Sequence, residues 1–259
     1  MNFKTLEVLF TPADFAALKN RPLDDTVCIV FDVFRATSSM VTALANGAEA
    51  IIPVGDIPEA LEIKRSTPAV LLAGERDGVR IRASLAQGKD FDLGNSPREF
   101  TKENVSSRTI VMTTTNGTRA LRACAHAKMV LVGSFLNLRA TAEFVSRGTI
   151  ENLLLICSGT YEQSAYEDVL GAGALCDLLW ANVDPDGISD SAKMARWLYS
   201  SVKNNLPAAA SQSRNGLRLS VITELRDDVA FCLQRDLFNF AASMNKDGMV
   251  KMLASGRAS

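Results

Sequence analysis

Short apolar runs of five to seven residues recur along the chain, each followed by a turn and then by a stretch where Ala and Leu return at helical spacing. Residues 27–33 (VCIVFDV) predict a strand before a helix over 36–46, with Gly47 placed to end it. Residues 50–54 precede a helix opening near Asp56, where Pro58 is tolerated in the first turn. Residues 70–73 run instead into a long polar loop. Strands at 109–113, 129–133 and 153–157 then precede helices over 117–127, 136–147 and 166–180.

These strands are apolar throughout rather than alternating, as expected when helices cover both faces, and helical crossovers make neighbours parallel. The expected fold class is α/β: a mostly parallel or mixed sheet sandwiched by helices (α/β/α), as one domain over residues 1–259 or as two closely associated subdomains. Beyond Trp180 the pattern turns helical, at 189–202 and roughly 224–240, giving a helical C-terminal subregion over 181–259. The tail 251–259 reads as frayed.

Composition narrows the function classes. The 259 residues carry 28 Lys+Arg against 29 Asp+Glu, a net charge of −1. Such a balance gives no general attraction to nucleic acid, so an anion site must be built locally. Five cysteines without CxxC spacing and a single histidine, His126, exclude a Cys/His zinc cluster and fit reduced thiols in a cytoplasm. No apolar run approaches a membrane span, and residues 1–10 lack a basic segment followed by an apolar one. A cytoplasmic protein without a membrane or nucleic-acid partner is expected.

In a parallel sheet, ligands sit beyond the carboxyl ends of the strands, near helix N-termini. Five loops should therefore converge on one rim: 32–39 (DVFRATSS), 74–78 (GERDG), 113–119 (TTTNGTR), 133–137 (GSFLN) and 157–160 (CSGT). The threonine run before Asn116-Gly117 exceeds what one helix cap needs and points to oxyanion binding. Asp32 and Arg35 could hold a metal and a phosphate or sulfonate, or could form an internal ion pair with Asp32 as cap. Asp32, Glu75 and Asp168 are the carboxylates available to Mg²⁺, although Glu167 and Asp168 also suit the first turn of a helix for its dipole alone.

Several mechanisms are excluded by what is missing. A haloacid-dehalogenase-type phosphatase needs a second aspartate two residues after the first, but Phe34 stands there. A cysteine phosphatase needs an arginine six positions after its nucleophile, and Cys157 has Gln163. GxxxxGK[ST] and GxSxG are absent, and His126, on an Ala-rich stretch, reads as a surface or packing residue.

From 27 to 174 the chain resembles the 2-phosphosulfolactate phosphatase family, through DVFRATSSMVTALANGA, GERDG, FDLGNSPREF, TTTNGTRAL, VGSFLN and CSGTYEQSAYEDVLGAGA, with weaker echoes at SRNG (213–216) and DDVAFC (227–232). It departs from the pattern in an insertion near 81–88 (IRASLAQG), in Asn215 where histidine is common, and in Thr223 where glycine is common. The resemblance implies a Mg²⁺-dependent phosphatase that hydrolyses 2-phospho-3-sulfolactate to 3-sulfolactate and phosphate, a step of coenzyme M synthesis. Family habit also suggests a homodimer.

A small phosphorylated substrate with that much negative charge needs Mg²⁺ and convergent cations on a neutral protein. The expected assignment has Asp32, Glu75 and Asp168 holding or orienting Mg²⁺, with Arg35 and the Thr115-Asn116-Gly117 amides on the phosphoryl oxygens. Arg76, Asn95, Ser96 and Arg119 are the expected readers of sulfonate or carboxylate. Water should attack directly, with a carboxylate as base. The alternatives are a phosphatase or phosphotransferase for another small phosphorylated carboxylic acid, and a non-catalytic small-anion-binding protein.

Overall fold

The computed structural model describes residues 3–148 and 150–253. Ten strands form a mixed sheet: β1 (Thr5–Leu9), β2 (Thr26–Phe31), β3 (Ala50–Pro53), β4 (Leu71–Arg76), β5 (Val79–Arg80), β6 (Thr109–Thr113), β7 (Met129–Gly133), β8 (Asn152–Cys157), β9 (Ala242–Met244) and β10 (Val250–Met252). Their order is β1-β8-β2-β7-β9-β10-β3-β6-β4-β5. With helices on both sides, the architecture is α/β/α and mostly parallel, as the apolar strands predicted.

Every residue of β2 is buried, and the pleat divides them between two cores. Val27, Ile29 and Phe31 face a core shared with the helices Leu138–Arg147, Tyr166–Leu179 and Asp190–Val202. Cys28 and Val30 face a second core built with the helices Ala36–Ala45 and Gly117–Ala123. Asp56 caps the helix Ile57–Ser66 by accepting from the Glu59 N–H, and Gly47, at φ 90°, follows the end of Ala36–Ala45.

The sheet departs from the expected single rim in one respect. β1, β8, β2 and β7 are parallel to one another, and so are β3, β6 and β4. Between the groups lie three antiparallel steps, β7/β9, β9/β10 and β10/β3, so the second group runs opposite to the first. In a flat sheet the two sets of carboxyl ends would lie on opposite edges. Instead, Ile51, Ile110 and Met112 of the second group enter the same core as Cys28 and Val30 of the first. Both sets of ends meet around the N-termini of Ala36–Ala45 and Gly117–Ala123.

The C-terminal part is not wholly helical. The helix expected over 224–240 is confined to Arg226–Cys232, because the backbone beyond it bonds the turn after β7: Asp236 N–H donates to Phe135 O and Phe238 N–H to Leu136 O. Lys251 and Met252, expected in a frayed tail, belong to β10, while residues 254–259 lie outside the described residues. β1, β5, β9 and β10 carried no sequence signal that we read.

Val250 is fully buried where β9, β10 and β3 join. Val250→Ala should therefore destabilise by roughly 1.5–3 kcal/mol, the loss of two buried methyl groups plus a cavity. Urea denaturation is the check, and a variant within about 0.5 kcal/mol of the parent would show that the hairpin is not integral to the sheet.

Candidate active site

The strand ends enclose a cavity of about 70 Å³ lined by Asp32, Phe34, Arg35, Glu75, Asp77, Gly78, Asn95, Thr115, Asn116, Gly159, Thr160, Tyr161, Asn215, Arg218 and Leu219. Four of the five expected loops contribute. The fifth, after β7, stands behind the wall, where Ser134 Oγ meets Ser38 Oγ at 3.0 Å.

Asp32 follows β2 and accepts the Ala36 N–H on Oδ1 (3.0 Å). A Cβ on Gly117 would lie 2.4 Å from its Oδ2, so only glycine allows the two helix starts to approach this closely. Burial pushes the Asp32 carboxyl up to about 6; hydrogen bonds from Ala36 and Ser158 oppose this, and the nearby Glu75 and Glu167 add to it.

Glu75 is held by its own loop and the next one. Its Oε2 accepts the Gly78 N–H (2.6 Å), and its Oε1 accepts both the N–H and the Oγ1–H of Thr115 (2.8 Å each). Gly74, at φ 152°, makes this possible: a Cβ there would stand 2.1 Å from Thr113 O. Thr115 thus spends both donors on Glu75, and its expected phosphoryl contact through that amide is not what the geometry provides. Asn116 lines the cavity and donates from Nδ2 to Tyr161 O (3.1 Å), with Gly117 just behind it.

Arg35, only 3% exposed, donates from Nη1 to Asp228 Oδ2 (2.8 Å) and from Nη2 to Gly78 O (2.6 Å). The peptide joining it to Phe34 is cis. Asp228 also accepts from Ser96 Oγ (2.7 Å) and Arg98 Nε (3.0 Å) on Oδ1. Three N–H groups of the Arg35 guanidinium remain after these two bonds, given five donors on the group.

The other expected residues fall into two sets. Asn95 lines the cavity, and its buried Oδ1 has no hydrogen-bond partner among the described residues. Ser96, Arg76, Arg119 and Asp168 do not line it. Ser96 supports Asp228; Arg76 donates to Glu75 O and Thr113 Oγ1 (2.7 and 3.0 Å); Arg119 reaches Asn116 Oδ1 (3.3 Å) and pairs with Glu162 (3.6 Å). Asp168 stands behind Asp32, accepting from the Val33 N–H (2.7 Å), Ser158 Oγ (3.0 Å) and the Gly159 N–H (3.1 Å). Burial, then the Asp32 and Glu167 charges, hold its carboxyl well above the usual carboxylate range. The structure brings Asp32 and Glu75 together and leaves Asp168 behind them, tying the loop after β2 to the loop after β8. Among the described residues no cluster of three or more His, Cys, Asp or Glu side chains could hold a metal ion.

Sequence reasoning missed Tyr161, Asn215 and Arg218 as lining residues; it placed Asp77 in a rim loop without a role and read Glu167, which stands behind them, for the helix dipole alone. Asn215 Nδ2 donates to Thr160 Oγ1 (2.6 Å) and Glu167 Oε1 (2.5 Å), while Glu167 Oε2 is buried without a hydrogen-bond partner among the described residues. The SRNG echo, which contains Asn215, was the available signal; for Arg218 there was none beyond its place on the same amphipathic stretch. Cys157 is buried outside the cavity, its thiol pushed well up by burial and the Asp168 charge, and His126 bonds Leu18 O (3.1 Å) away from it.

Fold and site together define an α/β/α protein with a small strand-end cavity in which carboxylates and guanidiniums meet. The chain belongs to the 2-phosphosulpholactate phosphatase family, whose model matches residues 15–247. A probable 2-phosphosulfolactate phosphatase of Caldicellulosiruptor saccharolyticus is 37% identical over 232 residues, 88% of this chain and 93% of that protein. Proteins of the same name from Thermotoga petrophila (40%; 84% of this chain, 88% of that one) and Synechococcus sp. strain JA-3-3Ab (36%; 86% and 90%) are similar. No helix among the described residues is long and apolar enough to cross a membrane.

Because the folded-state value of Asp32 is raised from 3.8 to about 6, its stabilising contribution is fully present below pH 3.8 and lost as pH rises through about 6. In chelator, the protein should melt lower at pH 8 than at pH 5, and Asp32→Asn should narrow that gap by at least about 3 °C, the effect of roughly 1 kcal/mol in a domain of this size. An unchanged gap in the variant would place the pH dependence elsewhere. Cys157→Ala should keep kcat within about threefold, as a thiol buried outside the cavity and pushed well up is unsuited to be the nucleophile; a folded but inactive variant would reverse that reading.

Proposed function

We propose that this protein is a Mg²⁺-dependent phosphatase that hydrolyses 2-phospho-3-sulfolactate to 3-sulfolactate and phosphate by direct attack of water, the reaction that the resemblance connects to coenzyme M synthesis. The observation that carries this reading is the charge of the cavity. Its lining holds three carboxylates, Asp32, Glu75 and Asp77, against two guanidiniums, Arg35 and Arg218. A phosphate ester would meet net repulsion there unless a cation entered with it. A receptor for small anions gains nothing from two buried acids beside its ligand, which disfavours the non-catalytic alternative.

The donor set fits Mg²⁺, which takes one or two carboxylates and completes its shell with water and phosphate oxygens. Asp32 and Glu75 would hold it, and Asn95 Oδ1, without a partner among the described residues, would accept from its hydration shell. When bound, the cation would neutralise charge on the phosphoryl oxygens. Arg35 would direct its remaining N–H groups at the same oxygens, with its plane set by Asp228 and Gly78 O. The Asn116 and Gly117 amides would supply further donors at the start of their helix. Asp168 would act on the reaction only through the Val33, Ser158 and Gly159 groups it holds. Phosphoryl transfer asks little covalent chemistry of a protein, so this positioning and charge neutralisation would supply most of the rate. The proton of the attacking water would pass to a carboxylate of the cavity.

Phosphate release from 2-phospho-3-sulfolactate should require Mg²⁺, disappear in chelator and return when the metal is restored. Asp32→Asn should lower turnover at least about 10²-fold, roughly 2.7 kcal/mol of transition-state stabilisation, with the fold retained. Undiminished release in chelator would eliminate the metal, and near-normal turnover of the variant would eliminate Asp32.

A further inference from the structure

The two guanidiniums of the cavity are held differently. Arg35 is buried, and its partner Asp228 is fully buried, with side-chain exposures of 3% and 0%. Arg218, on the helix Arg214–Ser220, stands at the mouth, where Nη2 donates to the Asp77 backbone O and lies 3.6 Å from Asp77 Oδ1, while Nη1 donates to the Tyr161 hydroxyl (3.3 Å). The Asp77 side chain is 77% exposed. The contact between the half-buried Arg218 and the exposed Asp77 carboxylate is worth little and exchanges readily while the bond to the Asp77 backbone O stays, whereas breaking a buried pair strands a charge.

One residue, Gly78, separates the two arginines. Gly78 gives its O to Arg35 Nη2 and its N–H to Glu75 Oε2, and a Cβ on it would lie 3.7 Å from Arg218 Nε. The cavity of about 70 Å³ has room for roughly five waters at 10–15 Å³ each, about the size of a phosphate. A phosphorylated acid bearing a second anion is larger. Were its phosphoryl group beside Asp32, Glu75 and Arg35, the rest of such a molecule would extend toward the mouth, where Arg218 and Asp77 meet.

We propose that Arg218 selects substrates carrying a second acidic group, sulfonate or carboxylate, by exchanging Asp77 for that group. The inference rests on the phosphatase reading for where the phosphoryl group sits. Arg218 contributes binding and discrimination, and Asp77 is its internal competitor. A brace that only tied the helix to the loop would be weakened alike by loss of either partner; a competitor and a reader change affinity in opposite directions.

The test compares 2-phospho-3-sulfolactate, 2-phospholactate and isopropyl phosphate, which differ in the sulfonate and then the carboxylate. Arg218→Gln should lower the preference for an acidic substrate over isopropyl phosphate by at least about tenfold, mainly through KM, and Arg218→Lys should restore part of it. Whether the loss first appears with the sulfonated or the carboxylated compound identifies which anion Arg218 reads. Asp77→Asn should lower KM for that compound. A preference unchanged in Arg218→Gln, or a KM raised equally by both variants, would overturn the proposal. Thermal stabilisation by 2-phospho-3-sulfolactate with Mg²⁺ supplies a readout besides phosphate release. If no compound releases phosphate, the phosphatase reading fails, yet stabilisation that is strong in the parent and lost in Arg218→Gln still supports Arg218, and stabilisation absent or equal in the two overturns it.

Discussion

Two oppositely running groups of strands share one active cavity because nothing stands between Asp32 and residue 117. A single methyl group at that position would sit 2.4 Å from the Asp32 carboxylate and 2.7 Å from Ala36 Cβ. Around this contact the loop after β2 and the loop after β6 become neighbours, and Thr115 can reach Glu75 while Asn116 reaches Tyr161. The inner core makes the approach durable, for it draws Cys28 and Val30 from one group and Ile51, Ile110 and Met112 from the other onto the same two helices.

Bringing the strand ends together concentrates charge where water is scarce. Asp32, Glu75, Glu167 and Asp168 are all buried, and burial raises the carboxyls of Asp32, Glu167 and Asp168. The protein offsets this locally with directed donors: three on Asp168, three on Glu75, one from Ala36 on Asp32. Among the described residues it supplies no second buried cation beside Arg35, whose charge is already shared with Asp228. That excess of buried carboxylates is the physical reason for the proposal that the site receives a cation together with an anionic ester.

The same economy separates the inner wall from the rim. Arg35, Asp228, Ser96 and Arg98 form a network that ties the helix Arg226–Cys232 to the loops after β2 and around 95–98. At the rim, Arg218, Asp77 and Tyr161 touch one another in partial contact with solvent. The inner set holds geometry against thermal motion; the outer set can change partners at small cost.

The local sequence determined the strands and helices that carry the site, because a both-faces-buried strand and a capped amphipathic helix each leave a pattern within about ten residues. GERDG, TTTNGTR and DVFRATSS located Glu75, Thr115, Asn116, Asp32 and Arg35 at the cavity, since their spacing from the preceding strands puts them at the carboxyl ends. Only the tertiary structure decided which side of the wall each residue occupies. Asp168 and Asp32 look alike as acids at element ends, yet one is enclosed by the Val33, Ser158 and Gly159 donors and the other faces the cavity. Arg76 follows Glu75 directly and therefore points to the opposite face of β4, toward Thr113. Arg218, Asn215 and the β9–β10 hairpin come from distant segments, and Asp228 is 193 residues from Arg35. Their placement depends on contacts between parts of the chain that share no local period, and a linear pattern carries no record of those.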